Sequence, residues 1–243
     1  MIERLKSHIT AVQTHIYRIV ETQEKSATMR LVDSFEEQDL LESLIESSKP
    51  NALHTKRHYL LTTPFRYPPL KYGSRFGGPF EPSLFYGAHT IHTMLHESAY
   101  YSFLFMQGMA KPFLRPINNH KTSFKALIKC AKYINLSRIE DEILQTKLTH
   151  KSNYDDPQKL GLSLRESGIQ AFSYASARDP NVGLNMGVFE LSAIKGTPKE
   201  MMQWEIKQTP TEIMFSCVSK PHNNQVIHID TFLMEGRVPA AST

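Results

Sequence analysis

Cysteine is nearly absent from this 243-residue chain. The two cysteines, Cys130 and Cys217, stand far apart and without partners at metal-ligand spacing, which excludes a disulfide framework and a cysteine zinc site and fits a reducing cytosol. Long apolar runs are missing as well. No stretch of about 18 apolar residues occurs, and Glu3, Lys6, His8, Gln13, His15 and Arg18 interrupt the N-terminal segment where an export signal needs continuity. A soluble, non-exported, cytoplasmic protein with no membrane partner is expected. Charge of one sign is scarce: 28 Lys and Arg against 24 Asp and Glu leave a net +4 without any long basic run, so no direct nucleic-acid binding is expected. The glycine fingerprint GxGxxG after a strand, the GxxxxGK loop followed by Ser or Thr, and the GxSxG elbow are all absent, which removes the standard dinucleotide cradle, the P-loop and the hydrolase nucleophile turn.

What is present is the composition of a folded protein, 40% apolar and 21% charged, in a length that suits one domain with an appendage. Ile2, Leu5, Ile9, Val12, Ile16, Ile19 and Val20 recur at spacings of three and four, which predicts a helix over residues 2–23. A second helix is expected in "DSFEEQDLLESLIESS", where Ser34 and Glu37 form a capping box, Leu40, Leu41, Leu44 and Ile45 an apolar stripe, and Pro50 the stop. These two helices define an N-terminal helical extension over 1–50, with the main domain over 51–243. From His58 onward the texture turns to short β-like pieces broken by Pro and Gly, with one clear helix in "GAHTIHTMLHESAYYSFLF". "SFKALIKCAKYINL" reads as a strand, "DDPQKLGLSLRESG" as a helix closed by Gly168, and "IQAFSYAS" as a strand. The β-rich segments "LNMGVFEL", "MQWEIKQT", "TEIMFSCVS" and "QVIHIDTFLM" complete the chain, an α+β order with no βαβ alternation.

The chemistry-bearing residues gather in two places. The stretch "TPFRYPPLKYGSRFGGPFEPSLFYGAHTIHTMLHESAYY" holds Arg66, Tyr67, Arg75 and Tyr86, and then Glu97 on a mostly apolar helix. A carboxylate is costly to bury unless its charge is used or paired, although taken singly each of these side chains reads as a solvated or packing group. "FSYASARDPNVGLNMGVF" sets Ser176, Arg178 and Asp179 in a turn and Asn185 in the following strand. Hydroxyl, guanidinium and amide groups at strand ends suit a phosphorylated, sugar-bearing ligand, while "ASARDP" reads equally as a serine-capped turn closed by Pro180. His92 and His96 lie four apart on one helix, a spacing that allows one metal. No third ligand can be named and the order is not HExxH, so packing or surface histidines are favoured and no metal is expected.

These segments together resemble the RES-domain family, named for an arginine, a glutamate and a serine. The resemblance rests on "FRYPPLKYGSRFGGPFEPSLFYG", "HESAYY" and "GIQAFSYASARDPNVGLNMGVF", and spans residues 58 to about 215; "LVDSFEEQDLLESLIESSKP" is similar to the helical leader of one branch. It makes Arg75, Glu97 and Ser176 the signature residues, joined by Arg66, Tyr67 and Tyr86, with Phe76 standing where the family commonly has Trp. The resemblance implies an ADP-ribosyltransferase-like split β-sandwich with surrounding helices. It also implies an NAD⁺-degrading toxin of a toxin–antitoxin pair, which cleaves the nicotinamide–ribose bond by hydrolysis or phosphorolysis. NAD⁺ is then a substrate rather than a cofactor, inorganic phosphate a possible co-substrate, and the partner a smaller helical Xre-like antitoxin; a homodimer through the leader helices stays open. On this reading Glu97 steadies the ribose cation, Arg75 and Arg66 hold the pyrophosphate, Tyr67 and Tyr86 wall the nicotinamide, and Ser176 hydrogen-bonds the nicotinamide amide or the ribose, with Arg178 and Asn185 as further binding residues. The rivals are protein ADP-ribosylation in the same cleft and a catalytically silent interaction module.

Overall fold

The first apolar segment is a strand, not a helix. In the computed structural model, which describes residues 5–22, 31–48, 57–67, 69, 71–110 and 115–241, β1 (Thr10–Glu21) pairs antiparallel with β3 (Ile117–Asn135) from Thr10 opposite Tyr133 to Glu21 opposite Lys121. The three-and-four spacing misleads because apolar side chains stand on both faces of the strand and are at least partly covered on each. Val12, Ile16 and Val20 pack into one core cluster while Tyr17 and Ile19 pack into another, and the β-branched content of the segment suits an extended backbone. The extension expected over 1–50 is therefore part sheet. Its second helix is present as α1 (Phe35–Ser48), with the Ser34 hydroxyl accepting from the Glu37 amide at 3.1 Å, and Leu40, Leu44 and Ile45 on it are exposed. Ile2, the stop at Pro50 and the boundary beside it lie outside the described residues.

A second correction concerns the start of the main domain. Where Pro-broken β pieces are expected after His58, α2 (Tyr59–Arg66) forms, with the His58 ring accepting from the Leu60 amide at 3.3 Å. Pro64 does not prevent a helix of two turns whose Leu60 and Leu61 are buried; packing outweighs propensity here.

The remaining elements match the sequence pattern, apart from the helix over Glu142–Leu148, which that pattern leaves unassigned. They are β2 (Phe85–Ala88), α3 (Ile91–Gln107), α4 (Glu142–Leu148), α5 (Asp155–Glu166), β4 (Ala171–Ala175), β5 (Leu184–Val188), β6 (Ile194–Gln208), β7 (Glu212–Cys217) and β8 (Gln225–His228). The sheet order is β1-β2-β5-β4-β3-β6-β7-β8, and β1 also pairs with β3, so β1, β2, β5, β4 and β3 close a circuit from which β6, β7 and β8 continue. All pairings are antiparallel except β3 with β4, whose parallel register is reached through the crossover that holds α4 and α5. The fold is α+β, as expected, and no helix among the described residues is long and apolar enough to cross a membrane.

Register decides what the sheet presents. Opposed residues of antiparallel strands share a face, so Tyr86 and Ala88 of β2, Asn185 and Gly187 of β5, and Phe172 and Tyr174 of β4 look one way. Phe85, Met186, Val188 and Ala171 look the other way into a separate core cluster with Ile16 and Leu61. Against the first face lie two helical layers. α3 packs through Leu95, Ala99 and Phe103 on Trp204, Phe215 and Ile227 of the outer strands, and α4 with α5 packs through Leu144, Leu148, Leu160 and Leu164 on Phe76 and Phe172.

Candidate active site

Between those two layers the sheet face stays lined by polar side chains. α3 starts on Thr90, whose hydroxyl accepts from the Thr93 amide at 3.1 Å, and its core-facing residues orient the opposite side of the helix toward the sheet. That side carries Glu97, partly buried, followed one turn later by Tyr100 and Tyr101.

Glu97 is held by two neutral donors on one oxygen. The Ser176 hydroxyl donates to Oε1 at 2.6 Å and the Asn185 amide donates to the same atom at 2.5 Å. Oε2 has no hydrogen-bond partner among the described residues, and Glu97 makes no ion pair there. Ser176 is fully engaged: while donating to Glu97 it accepts from the backbone amides of Arg178 at 3.1 Å and Asp179 at 3.0 Å. One donor and two acceptors exhaust a hydroxyl. The serine-capped turn and the site residue are thus the same structure, and the hydroxyl acts on the carboxylate's position.

Two guanidinium groups are buried nearby without an acid. Arg75 sits at the tip of a tight hairpin in which the Ser74 amide donates to Gly77 O at 2.7 Å. Its Nη1 donates to the carbonyls of Leu148 at 3.0 Å and His150 at 2.8 Å, and its guanidinium lies 4.5 Å from the centre of the Tyr154 ring. Arg178 lies 3.5 Å over the Tyr100 ring and donates through Nη2 to Lys151 O at 2.5 Å and to the Tyr154 hydroxyl at 3.1 Å. Arg75 and Arg178 are 8% and 4% exposed, neither is ion-paired among the described residues, and Nη1 of Arg178 is buried with no partner there. Buried cations without a counter-charge are costly, and such a pair can receive an anion.

The aromatic frame fixes this arrangement. Phe76 is wholly buried, edge-on to Phe172 at 4.7 Å and tilted against Tyr174 at 4.6 Å, so it anchors the Arg75 hairpin in the core. The Tyr86 hydroxyl meets Ser74 Oγ at 2.8 Å and accepts from the Phe76 amide at 3.1 Å, which ties the hairpin to β2, and burial pushes its pKa up to about 12. Burial likewise raises the Tyr174 phenol well above its ordinary range, at a point where it feels the charges of Glu97 and Arg75 alike.

Of the residues singled out from the sequence, Glu97, Ser176 and Asn185 meet directly, Arg178 joins them through the Ser176 turn, and Tyr86 holds the hairpin that carries Arg75 through Ser74 and Phe76. Arg66 and Tyr67 are placed otherwise. They close α2, whose Phe65 stacks on Phe85 at 6.5 Å on the opposite sheet face, and neither is among the partners of Glu97; Tyr67 is exposed. Among the described residues the hydrogen-bond shell of Glu97 is made by Ser176 and Asn185, and the guanidinium groups of Arg75 and Arg178 bond elsewhere. Tyr100, Tyr154 and Tyr174 were missed. Tyr100 follows Glu97 by three and Tyr174 precedes Ser176 by two, spacings that share a helix face and a strand face, whereas nothing local marks Tyr154.

Fold and site together define an α+β protein with an oriented carboxylate and buried cations over one sheet face. The RES domain family model matches residues 50–207, well over half of the chain, and the protein belongs to that family. No curated protein sequence matches it. Among solved structures the chain is similar to one from the crystal structure of the M. tuberculosis MbcT–MbcA toxin–antitoxin complex, at 9% identity and a TM-score of 0.47, covering 86% of this chain and 92% of that one.

Proposed function

We propose that this protein cleaves the nicotinamide–ribose bond of NAD⁺ with water or inorganic phosphate as acceptor, as the toxin of a toxin–antitoxin pair. Membership of the RES-domain family supports the substrate class. The observation that carries the reading is Glu97, fixed through Oε1 and with Oε2 unengaged among the described residues, on the sheet face that also holds two buried guanidinium groups with no acid partner there.

Breaking this bond leaves positive charge on the ribose while nicotinamide departs neutral, so no general acid is required. Glu97 Oε2 accepts from a ribose hydroxyl and stabilises the cation as it forms, and its fixed partner oxygen removes the cost of reorienting it. Arg75 and Arg178 take the pyrophosphate, since guanidinium forks match its oxygens and stay charged at any working pH. Water then adds its oxygen to the ribose carbon and releases a proton, giving ADP-ribose; phosphate gives the phosphorylated sugar. Ser176 orients Glu97 and forms no bond to the substrate. A small helical antitoxin of Xre-like type is the expected partner of the cleft.

Mass spectrometry of NAD⁺ incubated with the pure protein, with and without phosphate, tests this. Free nicotinamide with ADP-ribose or its phosphorylated form supports the reading. Label transferred to protein would redirect it to protein ADP-ribosylation, and intact NAD⁺ with no growth arrest on expression would leave an interaction module.

A further inference from the structure

We propose that His92, His96 and Asp179 form a binding site for a divalent first-row transition ion of the Zn²⁺ class, which clasps α3 to the turn that carries Ser176. One ligand atom from each residue lies within 4.8 Å of the other two. The two histidines stand one helical turn apart, their rings tilted by 36° with centroids 4.2 Å apart, and Asp179 is brought to them from the β4–β5 turn.

The donor set has the features that metal sites share. His92 Nδ1 stands 3.2 Å from Asp179 Oδ1 and 3.3 Å from Oδ2. Those near-equal separations are long for a charge-assisted hydrogen bond, and they match the distance of about 3.3 Å between two ligands each about 2.0–2.1 Å from one tetrahedral ion. His96 donates its Nδ1–H to the carbonyl of His92 at 2.9 Å, which leaves Nε2 as the lone-pair atom. Asp179 receives the Thr93 hydroxyl on Oδ2 at 2.8 Å and the Asn181 amide on Oδ1 at 2.9 Å, the outer partners that hold a ligating carboxylate in place. The His92 side chain, 38% exposed, supplies the adjustment that closes the trio, and two imidazoles with one carboxylate leave a fourth position for water.

The site is distinct from the carboxylate that serves NAD⁺, and its occupancy is measured without any nucleotide. The full chain, stripped with chelator, is titrated with Zn²⁺ by calorimetry and with Co²⁺ by visible ligand-field absorption. One equivalent is expected to bind. His92→Ala, at a partly exposed position, should weaken binding by tenfold or more, because loss of a direct ligand exceeds the cost of about 10–100-fold for an outer partner. Thr93→Val, which removes the hydroxyl that bonds Asp179 and also meets the Thr90 hydroxyl, should fall within that outer range, and His222→Ala should change nothing. Absence of binding in the wild type, or a loss below tenfold in both His92→Ala and Thr93→Val, overturns the proposal.

Discussion

A carboxylate that touches no cation among the described residues is an unexpected centre for a site proposed to take a charged dinucleotide, and the proposed chemistry gives Glu97 a reason to be arranged that way. An ion pair with Arg75 would neutralise the negative charge that the ribose cation needs, whereas Ser176 and Asn185 fix one oxygen and leave the charge intact. Glu97→Gln preserves size and the hydrogen bond from Ser176 while removing that charge. Nicotinamide release is expected to fall about 100- to 1,000-fold with the circular dichroism spectrum unchanged, and near-wild-type turnover would remove Glu97 from the chemistry. The residue types were legible because a glutamate on an apolar helix and a serine closing a strand are anomalies in their local patterns. Tyr154 was not, since its role comes from the cap of α5 meeting two arginines from distant segments, a coincidence of tertiary structure with no local periodicity.

At the scale of elements, the position of Arg75 depends on how closely α5 approaches its hairpin. A Cβ placed on Gly161 would stand 2.0 Å from the carbonyl oxygen of Phe76, so glycine is required by contact and not by backbone conformation. Gly161→Ala forces the helix and hairpin apart and should cost about 1–3 kcal/mol by overpacking. The measurement is a lowered denaturant midpoint accompanied by weaker NAD⁺ binding; unchanged stability would mean the approach is looser than drawn. β1 carries the opposite lesson about what a pattern can show. Period counting assigns it to a helix because apolar residues stand on both faces of the strand, and its partners lie about a hundred residues away in β3. Ile16 is 0% exposed at the middle of that pairing, and Ile16→Ala should destabilise by about 2–5 kcal/mol, which an exposed position in a dispensable appendage would not. Little or no change in the unfolding midpoint would return β1 to the periphery.

For the molecule as a whole, closure of the five-strand circuit ties its stability to groups buried where β2 meets α3. His89 bonds Ser173 of β4 at 2.8 Å, and burial lowers its pKa below the ordinary 6.5. A histidine with a depressed folded-state pKa favours the neutral form, so its contribution is complete above about pH 6.5 and is lost as the unfolded chain takes up the proton at lower pH. Thermal midpoints measured at pH 7.5 and 5.5 should therefore fall with acid, and fall less in His89→Gln; an equal drop in both proteins would assign the acid sensitivity elsewhere.

A second feature is the pair Arg75 and Arg178, buried over one sheet face in a chain whose net charge is already +4. Carbonyls and aromatic rings hold these guanidinium groups, but no acid does among the described residues, so an anion bound to them is expected to stabilise the fold by mass action. A ligand at 100 times its Kd contributes about 2.7 kcal/mol, which for a chain of this size corresponds to a rise of roughly 5–10 °C in Tm. Inorganic pyrophosphate and ADP-ribose are both expected to produce such a shift, and chloride at equal ionic strength is not, because only the former present paired oxygens to a guanidinium fork. Arg75→Ala should abolish most of the shift while lowering the basal Tm far less than Ile16→Ala does. A shift that survives Arg75→Ala intact would place the anion elsewhere on the surface and leave the two buried cations as structural features, held by Tyr154 and the carbonyls of Leu148 and His150 alone.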